Sequence, residues 1–419
     1  MLKHLGFIVS SLWTMTWQSF IYRITGNQYR FVKNLADKLV DRNIFYVKAF
    51  QALSANTHAL ESESSQYLST FADNVDYTED EIDNEVIDNL KKQGLVFDDS
   101  YPTNAGMVSL VYSATLPTGE RVAVKIRRKG IQSQLKTCLE EMGALVDVLV
   151  ILPHFRRLNL EDMFKENKQL MLDQLNYENE LKNMQLLISL NKRIKYVRIP
   201  KIYSSYTSSF QDKVIVMEYL EGRKMNKLDI DERDAYSSII AKFGIKCLLF
   251  DGVYHGDLHQ GNILFMGNKE NPVVGILDLG IIGKLTREEQ NNFYNFFSSL
   301  IRRNYSAAAD AIVSALAEPS FVVDSLPEQC KLRLTTHIQD EAKKMIEVTK
   351  ECGMKEVNNL NKELGVYGLH LSRSFCKVQL SLAMAEGVNR GLQVDKTHIE
   401  QIEAACKLMF PDALSDFIV

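Results

Sequence analysis

The chain has 419 residues, of which 46% are hydrophobic and 24% are charged, and its formal net charge is -4. This composition is typical of a packed globular protein and argues against an intrinsically disordered chain. A small negative charge provides no field that would attract a polyanion, so we expect no nucleic-acid partner.

The N-terminal run at 5–22, LGFIVSSLWTMTWQSFIY, carries no charge but contains several Ser and Thr residues. It is therefore too polar for the roughly 20 apolar residues that span a bilayer. Its apolar residues share one helical face: Leu5, Val9, Leu12, Trp13, Trp17, Phe20 and Ile21. Two interpretations stay open, a helix lying in a membrane interface and a helix docked on the protein's own surface. No small-residue cleavage site follows, so we expect no signal peptide.

Helical patterns surround a region of strand patterns. Residues 30–95 have the spacing of helices, including one over 79–93, whereas 108–127 predicts a strand hairpin and 213–220 another strand. Beyond 222 helices dominate, apart from a compact strand-and-loop region at 253–284. We predict an α+β, bilobal protein-kinase-like fold with three parts: an N-terminal helical extension at 1–98, an N-lobe at 99–221 and a helix-rich C-lobe at 222–419.

The strongest chemical motif is YHGDLHQGNIL at 254–264, which matches the kinase catalytic-loop pattern H-x-D-x-x-x-x-N. Phosphoryl transfer needs a carboxylate that orients or deprotonates the nucleophile, here Asp257, and an amide oxygen that holds a metal, here Asn262. The alternative is a polar loop in which both residues only cap turns.

Two further motifs fit the same chemistry. GILDLG at 275–280 is an apolar strand that ends in Asp278, which would ligate Mg²⁺ that bridges the phosphates of ATP. VAVKI at 122–126 alternates, so Ala123 and Lys125 share one face of a strand. Ala123 would cover the adenine and Lys125 would reach the phosphates. Each motif alone is weak, but their order and spacing together predict a kinase site.

A strand with the sequence VMEYLEG, at 216–222, is interpreted as the hinge between the lobes. Backbone groups of Glu218 and Leu220 would bind the adenine edge, and Met217 would guard the pocket behind it. An ordinary core strand is the alternative, and it is compatible with the hinge interpretation.

These motifs resemble those of the UbiB/AarF (ADCK) atypical kinases. The similar segments are FYVKAFQALS (45–54), VAVKIRRKGI (122–131), NYENELKN (176–183), VMEYLEG (216–222), YHGDLHQGNILF (254–265), ILDLGIIGKL (276–285) and LAMAEGVNRGL (382–392). The resemblance implies that Lys125 pairs with Glu180. It also implies that Lys48 and Gln51, in a lid at 45–54, lie over the active site, and that the phosphate loop is 104–109.

The nucleotide-contacting residues that we predict are Ala105, Gly106, Val111, Ala123, Lys125, Met217, Glu218 and Leu220. The sequence departs from the family pattern at three places. Phe50 replaces the glycine of the family's K-x-G-Q, Gln174 and Asn176 replace the carboxylates of E-x-D, and Gly106 replaces an alanine of the phosphate loop. We therefore expect an unusual substrate or unusual regulation.

We expect a UbiB-like kinase or ATPase that uses ATP and Mg²⁺ and supports quinone or lipid metabolism at a membrane. Its partners would be the lipid surface and proteins of quinone or lipid biosynthesis. The compartment would be mitochondrial or plastid in a eukaryote and the cytoplasmic face of the membrane in a bacterium. Two alternatives stay open, a small-molecule phosphotransferase of the choline or aminoglycoside kinase type and an ATP-binding pseudokinase scaffold.

Overall fold

The computed structural model describes residues 4–47, 50, 61–69, 75–151, 160–207, 213–350, 354–375, 378, 387–389, 391–392 and 396–409. Its helices are α1 Leu5–Thr25, α2 Gln28–Val40, α3 Ser62–Ser69, α4 Asn84–Lys92, α5 Ile131–Leu149, α6 Leu160–Asp173, α7 Tyr177–Leu190, α8 Ser204–Thr207, α9 Arg233–Ile245, α10 Arg287–Ile301, α11 Tyr305–Ala311, α12 Ser320–Ser325, α13 Glu328–Lys344, α14 Met354–Gly365 and α15 His398–Met409.

The strands are short and antiparallel pairing predominates. They are β1 Val96–Phe97, β2 Asn104–Ala105, β3 Ser109–Thr115, β4 Arg121–Arg127, β5 Val197–Arg198, β6 Val214–Glu218, β7 Val253–His255, β8 Ile263–Gly267, β9 Pro272–Ile276, β10 Ile282–Lys284, β11 Ala317–Glu318 and β12 His370–Leu371. Strands and helices form two compact units. Unit 1 comprises Met1–Ser189, Ile199–Glu221 and Leu277–Ile281, and unit 2 comprises Leu190–Arg198, Gly222–Ile276 and Ile282–Val419.

Unit 1 contains a five-stranded sheet with the order β1-β3-β4-β6, in which β2 also pairs with β3. The predicted hairpin is confirmed, since β3 and β4 are antiparallel over their whole length, with Val111 opposite Lys125. The side chains alternate as a strand requires. Val122, Val124 and Ile126 are almost fully buried in the core on one face of the sheet. The other face is left for the residues of the candidate site.

The helix predicted over 79–93 is interrupted. A 3₁₀ turn at Glu79–Glu81 comes first, and α4 begins only after Asp83. The Asp83 carboxylate accepts a hydrogen bond from the Val86 N–H, which makes it the N-cap of α4. An N-cap residue has non-helical backbone angles, so one continuous helix cannot pass through it.

Helix α1 packs in unit 1 through a side on which Ile8 joins the core and the other buried residues are polar. Ser11, Thr14 and Gln18 are nearly fully buried, at 0%, 4% and 2% exposure. By contrast Trp13 and Trp17 are 67% and 46% exposed, and their rings stack at 6.1 Å between centroids. The helix is thus docked on the protein, but mainly through the side opposite to the apolar face. In the part of the chain that the structure describes, no helix is long and apolar enough to cross a bilayer.

Unit 2 combines short sheets with a helical core. β5, β9 and β8 form one sheet, in which β5 and β9 are parallel, and β7 pairs with β10. A capping box formed by Thr286 and Glu289 begins α10. Helix α10 then buries Phe293 and Phe296 in a core shared with α11, α13 and α14. These elements support the loop between β7 and β8, which carries Asp257.

Candidate functional site

One face of the unit 1 sheet collects four of the predicted nucleotide-contacting residues, whereas Ala105 pairs with Leu110 and is buried in the core on the other face. In the strand register Val111 lies opposite Lys125, and Ala123 lies opposite Met217. Residues directly opposite each other in a sheet, and those two apart along a strand, share a face. Val111, Ala123, Lys125 and Met217 are therefore on one face, and Ser113, which the sequence analysis did not single out, lies among them opposite Ala123.

Lys125 is buried between two carboxylates. Its Nζ donates to Glu180 Oε1 at 2.7 Å and Oε2 at 2.9 Å, and to Asp278 Oδ2 at 3.0 Å. Three acceptors take up the three N–H donors of the ammonium. The Nζ also lies 5.5 Å from the centroid of the Tyr177 ring. Glu180 and Asp278 thus meet Lys125, although they lie 55 and 153 positions away from it in the sequence.

The charges of this cluster influence one another strongly. Burial alone would lower the pKa of Lys125, but the carboxylates of Asp278 and Glu180 raise it instead, so the ammonium stays charged. Burial raises the pKa of Glu180 to about 7, against the opposing effects of Lys125 and of the Leu279 N–H. Burial thus opposes the ionised form of Glu180, while the ammonium of Lys125 favours it.

The predicted phosphate loop is a tight turn between β2 and β3. The Gly106 N–H donates to the Ser109 carbonyl oxygen at 2.8 Å, and the Ala105 carbonyl oxygen accepts from the Val75 N–H at 2.8 Å. A Cβ built on Gly106 would meet Ser109 O at 3.5 Å and Ser109 Oγ at 3.6 Å, which is ordinary contact. The conformation of this turn therefore does not require glycine.

The predicted hinge continues β6 of unit 1. The Glu218 N–H donates to the Lys201 carbonyl oxygen at 2.8 Å, and the Tyr219 N–H donates to the Arg121 carbonyl oxygen at 3.3 Å. Met217 and Leu220 are 5% and 7% exposed. β6 is thus a core strand whose C-terminal end is held by backbone hydrogen bonds. This is compatible with both the hinge interpretation and the core-strand interpretation.

The catalytic-loop motif lies in unit 2 between β7 and β8. Its backbone is fixed by its own side chains: the Asp257 N–H donates to His255 Nδ1 at 3.1 Å, and Asn262 Nδ2 donates to the Asp257 carbonyl oxygen at 3.0 Å. Lys224 Nζ donates to the Gly261 carbonyl oxygen at 2.9 Å. Three hydrogen bonds thus fix the conformation of the loop that carries Asp257 and Asn262.

The donors of the predicted metal ligands suit Mg²⁺. Asp278 offers a carboxylate and Asn262 an amide oxygen, which are the hard ligands that Mg²⁺ binds together with phosphates and waters. Asp278 Oδ1 accepts from the Gly280 N–H at 2.9 Å, while its Oδ2 contacts Lys125. Among the described residues, no group of three or more His, Cys, Asp or Glu side chains forms a dedicated metal cage.

Some site residues escaped the sequence analysis or lie beyond the described chain. Lys48 and Gln51, the predicted lid residues, lie outside the described residues. Asn176, one of the two amides in place of E-x-D, accepts the Asn179 N–H at 3.1 Å at the start of α7. The roles of Tyr177 and Asn183 were missed, although their spacing of three from Glu180 places them beside it on one helix face.

These features define a kinase-like protein: a buried lysine paired with a helical glutamate, an H-x-D-x-x-x-x-N loop and a D-L-G turn. The model of the ABC1 atypical kinase-like domain matches residues 73–312, which is more than half of the chain. The chain belongs to this family.

Curated relatives carry the expected names. The AarF domain-containing kinase 1 of Drosophila melanogaster is 30% identical over 208 residues, which are 48% of this chain and 39% of the relative. The probable protein kinase UbiB of Sodalis glossinidius is 28% identical over 228 residues, which are 52% of this chain and 41% of the relative. The matched part thus spans less than half the length of either relative.

A solved structure shows the same fold. The Rv3197–erythromycin complex from Mycobacterium tuberculosis has a TM-score of 0.53 and 18% identity, and the match covers 85% of this chain and 90% of that chain. Together with the family match, this likeness establishes the kinase-like fold of mixed helix and sheet that the sequence predicted.

Proposed function

We propose that this protein binds Mg-ATP and acts as an ATP-dependent phosphotransferase or ATPase. The observation that carries the proposal is the buried Lys125, bonded to Glu180 and Asp278 on the sheet face that also holds Ala123 and Met217. An ammonium buried at 7% exposure beside two acids is costly to build for stability alone. The phosphate-binding lysine of kinases also lies on a strand of the N-lobe sheet, which supports this role for Lys125.

The contacts of Lys125 indicate how a nucleotide would enter. Glu180 holds the ammonium through both carboxylate oxygens, whereas Asp278 uses one oxygen. A phosphate oxygen could replace the single contact to Asp278 and leave the paired contact intact. Asp278 would then hold Mg²⁺, which supplies charge neutralisation on the phosphates, and Asn262 stays the second ligand that the sequence motif predicts.

Asp257 is proposed as the residue that orients the attacking hydroxyl or water and accepts its proton. Its N–H donates to His255 Nδ1 and its carbonyl oxygen accepts from Asn262 Nδ2, so the backbone that carries the side chain is fixed. Position and preorganisation are the main contributions that a protein makes to phosphoryl transfer.

A thermal-shift titration tests nucleotide binding. Mg-ATP or Mg-ADP at ~100 times its Kd should stabilise the fold by about 2.7 kcal/mol. The Asp257→Asn variant should show the same shift but lose roughly 10²–10⁴-fold in turnover of labelled ATP, because general-base assistance is removed. Asp324→Asn, the same change at an exposed position, is the matched control and should behave as wild type.

Each alternative has its own outcome in this experiment. The absence of a nucleotide shift in the wild-type protein would contradict the proposal. A shift without turnover, unchanged by Asp257→Asn, would indicate the pseudokinase scaffold. Transfer to choline-like or aminoglycoside-like acceptors would indicate the small-molecule phosphotransferase, although membership of the ABC1 family supports the UbiB-like activity over it.

We also propose that α1 associates with a lipid surface. Its outward face carries Trp13, Trp17 and Phe20, with 67%, 46% and 54% of their surface exposed. No acidic residue precedes Asp37, whereas Arg23 and Lys33 are basic, which favours an anionic membrane. Likeness to UbiB proteins further supports a role in quinone or lipid metabolism, with the biosynthetic proteins as partners.

A further inference from the structure

Helix α7 makes two hydrogen bonds to the backbone of Leu279, the central residue of the Asp278-Leu279-Gly280 turn. The Leu279 N–H donates to the Glu180 carboxylate, and the Leu279 carbonyl oxygen accepts from Asn183 Nδ2 at 2.9 Å. Glu180 and Asn183 are three residues apart, so they are neighbours on one face of α7. One helix face therefore binds both polar backbone groups of the same residue.

These contacts lie in the protein interior. Leu279, Glu180 and Asn183 have 0%, 2% and 9% of their surface exposed. A buried carbonyl oxygen needs a donor from the protein, and Asn183 supplies it. On the other side of the turn, the Gly280 N–H donates to Asp278 Oδ1 at 2.9 Å. The backbone that carries the Asp278 carboxylate is thus held from α7.

We propose that Asn183 is a positioning residue that holds the Asp278-Leu279-Gly280 turn in the conformation in which Asp278 can bind Mg²⁺. Asn183 itself touches neither nucleotide nor metal in this proposal and acts through the Leu279 carbonyl group. The inference rests on the proposed Mg-ATP site, but the conformation of the turn can be measured without any ligand.

The amide is the side chain that fits this position. A carboxylate at 183 would face the Leu279 carbonyl oxygen and would stand one helical turn from Glu180, and both contacts are repulsive when it is ionised. An alanine would leave the carbonyl oxygen without its donor. Asn183→Asp therefore changes hydrogen bonding while it keeps the size and shape of the side chain.

Hydrogen exchange of the nucleotide-free protein tests the conformational part. We expect faster exchange in peptides that cover residues 276–282 in Asn183→Asp than in wild type. Asn179→Asp makes the same chemical change at an exposed position of α7 and should exchange as wild type does. If Asn183→Asp does not fold, Asn183→Ala removes the same donor without adding a charge and has the same expected result.

Titration of ADP with and without Mg²⁺ tests the functional part. The gain in ADP affinity on adding Mg²⁺ should fall by roughly five- to tenfold in the Asn183 variant, the loss of one hydrogen bond, while ADP affinity without Mg²⁺ stays within about twofold. A purely structural role predicts a lower Tm with equal losses in both titrations, and that result would overturn the proposal.

The two experiments, hydrogen exchange and ADP titration, separate this inference from the proposed function. Unchanged exchange at 276–282 would overturn the role of Asn183 whatever the protein binds. Faster exchange in a protein whose wild type gains no ADP affinity from Mg²⁺ would retain the control of the turn by Asn183. It would reject the metal role of Asp278, and a wild type that binds no ADP in either titration would reject the nucleotide site as well.

Discussion

Glu180 is an acid whose burial should be visible in the pH dependence of stability. Its folded pKa of about 7 lies above the ordinary value of 4.5 because burial disfavours the charged form. The folded state therefore keeps a proton that the unfolded state has lost between about pH 4.5 and pH 7. The stability that this group contributes is fully present below pH 4.5 and is lost as the pH rises to about 7.

The Glu180→Gln variant tests this. The unfolding free energy of wild type relative to Glu180→Gln should fall between pH 5 and pH 7, by at most about 1.4 kcal/mol per pH unit, as measured by urea denaturation without nucleotide. Glu178 is exposed on the same helix, and its hydrogen bond with Lys182 lowers its pKa. Glu178→Gln should show no such slope, and a flat difference for Glu180 would mean that it stays ionised.

The substitution Gly106→Ala tests the geometry of the predicted phosphate loop, because it adds a single Cβ there. The nearest atoms to an added Cβ are 3.5 Å away, so Gly106→Ala should leave stability unchanged or raise it by up to about 1 kcal/mol through the unfolded state. Gly267 is the contrasting control, because its φ is 72° and an added Cβ would lie 2.2 Å from Asn271 O. Chemical denaturation should show Gly267→Ala to be clearly destabilised. Equal losses in both variants would contradict the loop geometry.

At the scale of elements, Arg128 joins the segment at 75–81 to the end of β4. Its guanidinium donates to the carbonyl oxygens of Val75 and Asp76, each at 2.8 Å, and contacts Glu81 Oε2 at 3.2 Å. Its own N–H donates to the Val108 carbonyl oxygen at 2.9 Å. One buried side chain thus connects the segment at 75–81 to the end of β4.

Removal of this guanidinium should loosen that connection. Arg128→Met should cost about 3–5 kcal/mol, because Glu81 and two carbonyl groups lose their buried partner. Hydrogen exchange across 75–81 should accelerate at the same time. Lys129→Met, the change at the exposed neighbour, should alter neither quantity. Wild-type exchange in Arg128→Met would show that the segment is held by other contacts.

At the scale of the whole molecule, the outward face of α1 should determine binding to lipid. The double variant Trp13→Ser, Trp17→Ser should bind less to vesicles of phosphatidylcholine and an anionic lipid, because Trp side chains favour the membrane interface. Its Tm should stay near that of wild type, since both rings are largely exposed. Phe321→Ser, at a 70% exposed site of unit 2, is the control. Unchanged sedimentation of the double variant with vesicles would assign the outward face of α1 to another partner.

The sequence by itself determined the elements that depend on local pattern. The alternation in 121–127 set which side chains of β4 face the core, because successive strand residues point to opposite faces. The Thr286-x-x-Glu289 spacing set the start of α10, because a capping box closes within one helical turn. The spacing of Asp257 and Asn262 lies within one loop, so the motif was recognisable without a fold, and Glu180 was identified from its family motif.

Only the tertiary structure decided how distant residues combine. Asp278 lies 153 residues from Lys125, and no local pattern encodes their contact or the bond from Asn183 to Leu279. The sequence of α1 also did not determine which of its faces is buried. An apolar face normally packs inward, whereas here Ser11 and Gln18 are buried and the Trp residues face outward. Which face of a helix is buried depends on the surface that it meets, and that surface exists only in the folded chain.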